Sequence, residues 1–187
     1  MKSRRIAILA AFAVALFGLA ACGNKEDRVR HGDTEGAYID VGPLKYQVQI
    51  SRQLNPHELE DSEYLNGVSA ADKRLKPDET WFAVFVRVEN ESGKPQQTAS
   101  QFTITDTQQN VFQPVPIGGH NPIAYRSIVV PNKTHVPDPN DVAAFAPTGG
   151  LLLLFKLPIA SLDNRPLELS VHSPTPPIEV GTITLDV

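Results

Sequence analysis

Trp81-Phe82-Ala83-Val84-Phe85-Val86-Arg87-Val88 is the stretch that decides the fold. Side chains of a strand alternate between its faces, so Phe82, Val84, Val86 and Val88 share one side. Trp81, Ala83 and Phe85 make the other side apolar as well. Leu151-Leu152-Leu153-Leu154-Phe155-Lys156-Leu157 repeats the arrangement, with Leu152 and Leu154 opposite Leu151, Leu153, Phe155 and Leu157. Strands apolar on both faces sit centrally in a sheet, and something must cover the second face. The expected cover is the long connection from Leu54 to Asp78. A partner protein is the alternative, and it would make Trp81, Phe85, Leu152 and Leu154 an interaction surface. Within the connection, Asn55-Pro56-His57-Glu58 reads as a helix start: Asn55 caps, Pro56 takes the first helical position and Glu58 completes a capping box. The short helix runs to about Tyr64 and presents Leu59, with Leu65 and Val68 following.

Outside these two runs the pattern is strict alternation. Leu44, Tyr46, Val48 and Ile50 alternate with polar residues, as do Phe102 and Ile104, then Leu167, Leu169 and Val171, then Ile183, Leu185 and Val187. One wet face per strand is a property of antiparallel sheets. Sixteen prolines and scattered Asn-Gly, Ser-Gly and Gly-Gly pairs punctuate the runs as turns. The expectation is an all-β, antiparallel β-sandwich with a short helix in an inserted loop, occupying residues 37–187.

The N-terminal part has a different character. Met1-Lys2-Ser3-Arg4-Arg5 is basic, Ile6 to Ala21 is apolar, and Cys22 is the one cysteine in the chain. A membrane-spanning helix needs roughly 20 apolar residues, so this run reads as an export signal, residues 1–21, that is removed. Ser3-Arg4-Arg5 matches a twin-arginine signal only in part, and a plain basic head accounts for it. Leu19-Ala20-Ala21-Cys22 resembles the lipobox of bacterial lipoproteins. That resemblance implies a diacylglycerol on the sulfur of Cys22, cleavage before it and acylation of the new amino group. The expected location is then the cell membrane, lipid-anchored, with the domain on the extracytoplasmic face and the bilayer as a partner. Residues 22–36, poor in sizeable apolar side chains, read as a lipidated flexible tether. Loss of Lys2, Arg4 and Arg5 takes the formal charge from −4 to −7. So acidic a domain argues against nucleic acid as a partner and against tight electrostatic docking on anionic lipid.

A second resemblance rests on three motifs. The strand from Trp81 ends in Asn90 near Gly93, Phe102-Thr103-Ile104-Thr105-Asp106 follows, and Gly150-Leu151-Leu152-Leu153-Leu154-Phe155 comes late. Together they resemble immunoglobulin-like domains of unknown function found in bacterial lipoproteins, over Leu44 to Val187, with 54–78 as an insertion. The resemblance implies an immunoglobulin-like sandwich and transfers no catalytic residue.

Little in the chain speaks for chemistry. The five histidines, at 31, 57, 120, 135 and 172, show no zinc-binding spacing. The mature chain lacks methionine, so the soft ligands that copper(I) needs are missing. Glu58, Glu60, Asp61 and Glu63 crowd one segment, but a first helical turn favours acids without any ion. Asp138-Pro139-Asn140-Asp141 lacks a calcium-loop frame, and Asx turns explain it. No nucleophile motif is present. The expectation is no enzyme, no metal and no cofactor, and a module that binds an unidentified envelope protein or ligand. An envelope enzyme or metal-handling protein with a site assembled from distant loops is the alternative. The loop from Pro114 to Pro122, with His120 in it and Tyr125 and Arg126 beyond, is the candidate rim of a binding surface.

Overall fold

The computed structural model describes residues 28–119 and 121–186. The signal segment, Cys22 and His120 therefore lie outside the described residues. In chain order the elements are β1 (His31–Gly32), β2 (Tyr38–Val41), β3 (Leu44–Leu54), α1 (Leu59–Tyr64), β4 (Glu79–Asn90), β5 (Gln96–Gln97), β6 (Gln101–Thr105), β7 (Val111–Phe112), β8 (Val129–Val130), β9 (Thr134–Val136), α2 (Val142–Phe145), β10 (Leu151–Pro158), β11 (Leu167–His172) and β12 (Val180–Leu185). One large sheet has the order β1-β12-β11-β6-β7; the second has β10-β4-β3-β2, with β9 on the end of β4; β5 and β8 form a small antiparallel pair of their own. This is the expected all-β sandwich, antiparallel except where β1 joins β12 in parallel. No helix among the described residues is long and apolar enough to cross a membrane.

The two doubly apolar runs are neighbours, but only β4 is central as expected: β10 is the edge strand of its sheet, and it can be apolar on both faces because residues of the crossing segment 115–125 cover and bond it. β4 pairs β10 with Val86 opposite Leu151, Phe85 opposite Leu152 and Val84 opposite Leu153. Cross-strand partners share a face. Phe82, Val84, Val86, Leu151, Leu153 and Phe155 therefore enter the core between the sheets, where Phe102, Ile104, Leu169 and Ile183 meet them. Trp81, Ala83, Phe85, Leu152 and Leu154 enter a second cluster on the outer face. The inserted connection covers that cluster with Leu54, Tyr64, Leu65 and Val68, and Val115, Ile117 and Ile123 pack beside them. The expected self-coverage is thus present, and a second segment, 115–123, shares the work.

Three local expectations need correction. First, Ile50 does not continue the inward alternation. A bulge between Val48 and Ile50 shifts the register, leaving Ile50 38% exposed and carrying Leu54 into the outer cluster. Second, the helix begins at Leu59, not at Pro56, with Glu58 as its cap residue and no capping box. Asn55 instead accepts the amide of His57 in an Asx turn, while Asp61 binds the Asn55 amide and Arg52. The helix consequently turns Asp61 and Tyr64 inward and leaves Leu59 80% exposed. Glu60 and Asp61 do occupy its first turn, as expected of acids there. Third, the segment 28–36 is bound to the domain instead of serving as tether. The Thr182 amide donates to the Arg30 carbonyl at 2.9 Å, the Asp40 amide donates to that of Val29 at 2.6 Å, and Arg28 pairs with Glu179 at 2.8 Å. Backbone carbonyls share this addition with the side chains of Arg28, Arg30, Thr34 and Glu35, whose partners lie at Glu179, Asp186 and Ser51 and leave no local pattern in the sequence.

Two motif residues have structural roles. Asn90 is fully buried, donates to the carbonyls of Lys94 and Val130 and accepts from Ser92, closing the turn at Gly93. Asp106 closes the turn after β6. Burial opposes its charge, but Asn110, through side chain and amide, and Ser161 and Asn164 bind the carboxylate and hold it down at about 2. A lowered acid contributes stability above the usual Asp range and loses it on titration. Acid unfolding should therefore deepen from about pH 4 towards pH 2. In thermal melts across that window Asp106→Asn should show a shallower acid limb, from a lower neutral starting point. An unchanged limb would remove Asp106 from the acid response.

Candidate functional site

The segment 114–127 crosses the outer face and borders two hollows. Its first contacts are with the free edge of β10: the Val115 amide donates to the Leu154 carbonyl at 2.7 Å, and Leu152 exchanges bonds with Ile123 and Tyr125 at 2.8 and 2.9 Å. Between these anchor points lies a cleft of about 320 Å³ bordered by Pro114, Ile117, Tyr125, Arg126 and Ser127. Tyr125 is fixed by an edge-to-face contact with Phe102, ring centroids 4.9 Å apart, and by donating to the Ala99 carbonyl at 2.8 Å. Tyr46 accepts the Ala99 amide at 2.7 Å, so two phenols hold the backbone of one residue on both sides. Burial pushes Tyr125 well above the ordinary tyrosine value and Tyr46 up to about 12. Both remain neutral at physiological pH, as hydrogen-bonding groups and not as bases. Arg126 donates to the carbonyls of Ile117 and Gly119 at 3.1 and 3.2 Å. Its planar fork thus ties the loop down at the border of the cleft.

The second hollow lies on the other side of the same segment. It is a groove of about 400 Å³ walled by Tyr64, Ile123, Val142, Ala146 and Pro147, with Glu60 and Glu63 on its rim. Asn121 builds its floor. Buried, it donates to the carbonyls of Tyr64 and Asn66 at 3.2 and 3.0 Å and accepts the Ile123 amide at 3.1 Å. Two helices that are not adjacent in sequence thereby meet across residues 121–123. Around the groove Val142 is 64% and Phe145 77% exposed, and Leu59 precedes the Glu60 rim.

The sequence-derived surface divides accordingly. Tyr125 and Arg126 do border a hollow, as expected of the rim. Trp81, Phe85, Leu152 and Leu154 are no interaction surface: each is at most 1% exposed, because residues of the protein itself fill the space above them. Glu60, Glu63, Asn121, Ile123 and Val142 were missed as site residues. The one sequence signal for them was apolar Val142-Ala143-Ala144-Phe145 directly after an Asx-rich turn. That turn is present, with the Asn140 amide on Asp138 at 2.9 Å. Among the described residues no group of His, Cys, Asp and Glu is placed to hold a metal ion.

No protein-family model and no curated protein matches the sequence. Solved structures do match its fold. The yjhA protein from Bacillus subtilis superposes with a TM-score of 0.57 at 13% identity, over 82% of this chain and 99% of that one. A functionally unknown protein from Listeria monocytogenes EGD-e gives a TM-score of 0.51 at 12% identity, over 82% and 83%. Likeness at such identity fixes the shared architecture and leaves ligand and partner to the surface of each protein.

Proposed function

We propose that this chain is a lipid-anchored protein of the bacterial cell envelope, held by acylated Cys22, whose extracytoplasmic sandwich is a non-catalytic binding module. Its groove between α1 and α2 takes an apolar, basic segment of an envelope partner. The observation that carries this reading is the groove itself: apolar walls with the carboxylates of Glu60 and Glu63 at the rim. Apolar walls supply burial, and rim carboxylates supply orientation and attract cations over competing anionic segments. Anchoring supplies local concentration, which lets a modest groove work on a membrane neighbour. The export signal and Leu19-Ala20-Ala21-Cys22 support the anchor.

The test has two arms. Cys22→Ser is expected to move the protein out of the membrane fraction or leave it as precursor; full retention as a mature form counts against lipidation. For the groove, an amphipathic leucine–lysine peptide is titrated into the protein and followed by amide NMR shifts. Shifts should centre on Tyr64, Ile123 and Val142 and vanish in Val142→Asp. Shifts spread evenly over the acidic surface would reject the groove.

A further inference from the structure

The chain leaves the described domain at one end of the sandwich, and the surface there has an unusual composition. Val29 is 51% exposed, Ile178 55% and Val180 40%. They are close together: His31 pairs with Thr182, and Val29 and Val180 each stand two residues before these partners. Arg28 and Arg30 flank them, and both converge on the single carboxylate of Glu179, at 2.8 and 3.4 Å. With the Asp40 carboxylate on the Val29 amide at 2.9 Å, two guanidiniums face two carboxylates, and this end is close to neutral on a mature chain whose formal charge is −7.

We infer that the patch formed by Val29, Ile178 and Val180 with Arg28 and Arg30 rests on the lipid surface and sets the orientation of the domain. This rests on the anchor at Cys22 proposed above. Because 28–36 is part of the domain, only residues 22–27 separate anchor from fold, and six residues reach at most about 21 Å. So short a leash brings this end of the sandwich to the headgroups whatever else the domain does. Exposed aliphatic side chains gain by entering the headgroup–acyl boundary, and arginines beside them meet lipid phosphates. The rest of the mature chain carries the net negative charge, which anionic headgroups repel. Affinity comes from the acyl chains, so the patch has only to choose which face points down, and a few side chains suffice. The groove between α1 and α2 is then carried at a fixed height and direction relative to the membrane.

The test uses the mature acylated protein in vesicles of phosphatidylethanolamine and phosphatidylglycerol containing a lipid-borne nitroxide quencher. A fluorophore is placed through Ile178→Cys, Cys22 having no free thiol once acylated. The control label is Gln108→Cys. Its turn follows Thr105 of β6, at the opposite end of the sheet from the Gln101, His172 and Val180 row. Several-fold stronger quenching at 178 than at 108, reduced by Val29→Ser with Val180→Ser while the protein still floats with the vesicles, is the expected result. Equal quenching at both positions in floating protein overturns the lipid contact and leaves the anchor standing. Failure to float overturns the anchor and the contact together. A response at 178 that follows protein density and ignores the quencher assigns the patch to a second copy of the chain and overturns the proposal.

Discussion

Truncation of Phe85 to alanine is expected to destabilise the domain by about 3–5 kcal/mol, the range for a large aromatic removed from a core that cannot collapse around the gap. Phe85 is fully buried on the outer face of β4, and Tyr64 of α1 meets its ring edge-on with centroids 5.3 Å apart. Leu152 lies opposite it on β10. Collapse is restricted from below as well: a side chain at Gly150 would come within 3.0 Å of the Phe85 backbone, so the two strands are already in contact. Urea unfolding should show a lower midpoint with an unchanged slope. Leu152→Ala should behave alike, at about 2–5 kcal/mol. Were the outer face a docking surface, both variants would unfold close to the wild type and lose a partner instead. A near-zero cost for both would contradict the covering role of residues 54–78 and 115–123.

How far the sequence carried can be judged residue by residue. The central position of β4 was legible because both faces of its run are apolar, whereas β10, equally apolar on both faces, is an edge strand whose open side the segment 115–125 takes up. The sandwich followed from alternation in the remaining strands. The bulge before Ile50 was not legible, since one added residue leaves composition and local pattern intact while it reverses the faces that follow. Nor was the docking of 28–36, which joins carbonyls of Val29 and Arg30 that every sequence possesses to ion pairs of Arg28 and Arg30 with Glu179, about 150 residues away. The helix start went wrong through competition. Asn55 was a sound cap by type, but its amide is bound by Asp61, which Arg52 of β3 also holds, and the helix begins later. The loop from Pro114 to Pro122, with Tyr125 and Arg126 beyond it, was legible as a loop, and Pro114, Tyr125 and Arg126 border a hollow. The neighbouring groove was not legible, because its walls come from α1, from 121–123 and from α2, and no local pattern reports that three separate segments converge.

Replacement of Gly67 by alanine is the sharpest test of that convergence. Gly67 has φ +86, and a Cβ built there would lie 2.1 Å from the carbonyl oxygen of Gly118. The oxygen belongs to backbone and has no rotamer to yield. The Gly118 amide donates to the Gly67 carbonyl at 2.8 Å, and Val68 bridges Ile117, so the close approach is what pins the inserted connection to the crossing segment. Left-handed backbone costs a residue with a side chain about 1–2 kcal/mol. Loss of the hydrogen bond adds about 1 kcal/mol. A net cost of about 2–3 kcal/mol is expected from these terms together. Gly93→Ala separates them, since Gly93 has φ +88 but nothing within 4 Å of its would-be Cβ. It should show the conformational cost alone. Hydrogen exchange locates the excess: Gly118 and Val115 amides should lose protection in Gly67→Ala while those of β4 keep theirs, and the leucine–lysine peptide should lose its groove. If Gly67→Ala and Gly93→Ala cost the same and exchange alike, the 67–118 contact holds nothing in place. The groove would then have to be fixed by Asn121 alone, whose two bonds to the carbonyls of Tyr64 and Asn66 reach α1 and the chain just beyond it but leave Ile117 and the cleft beside Tyr125 unsupported.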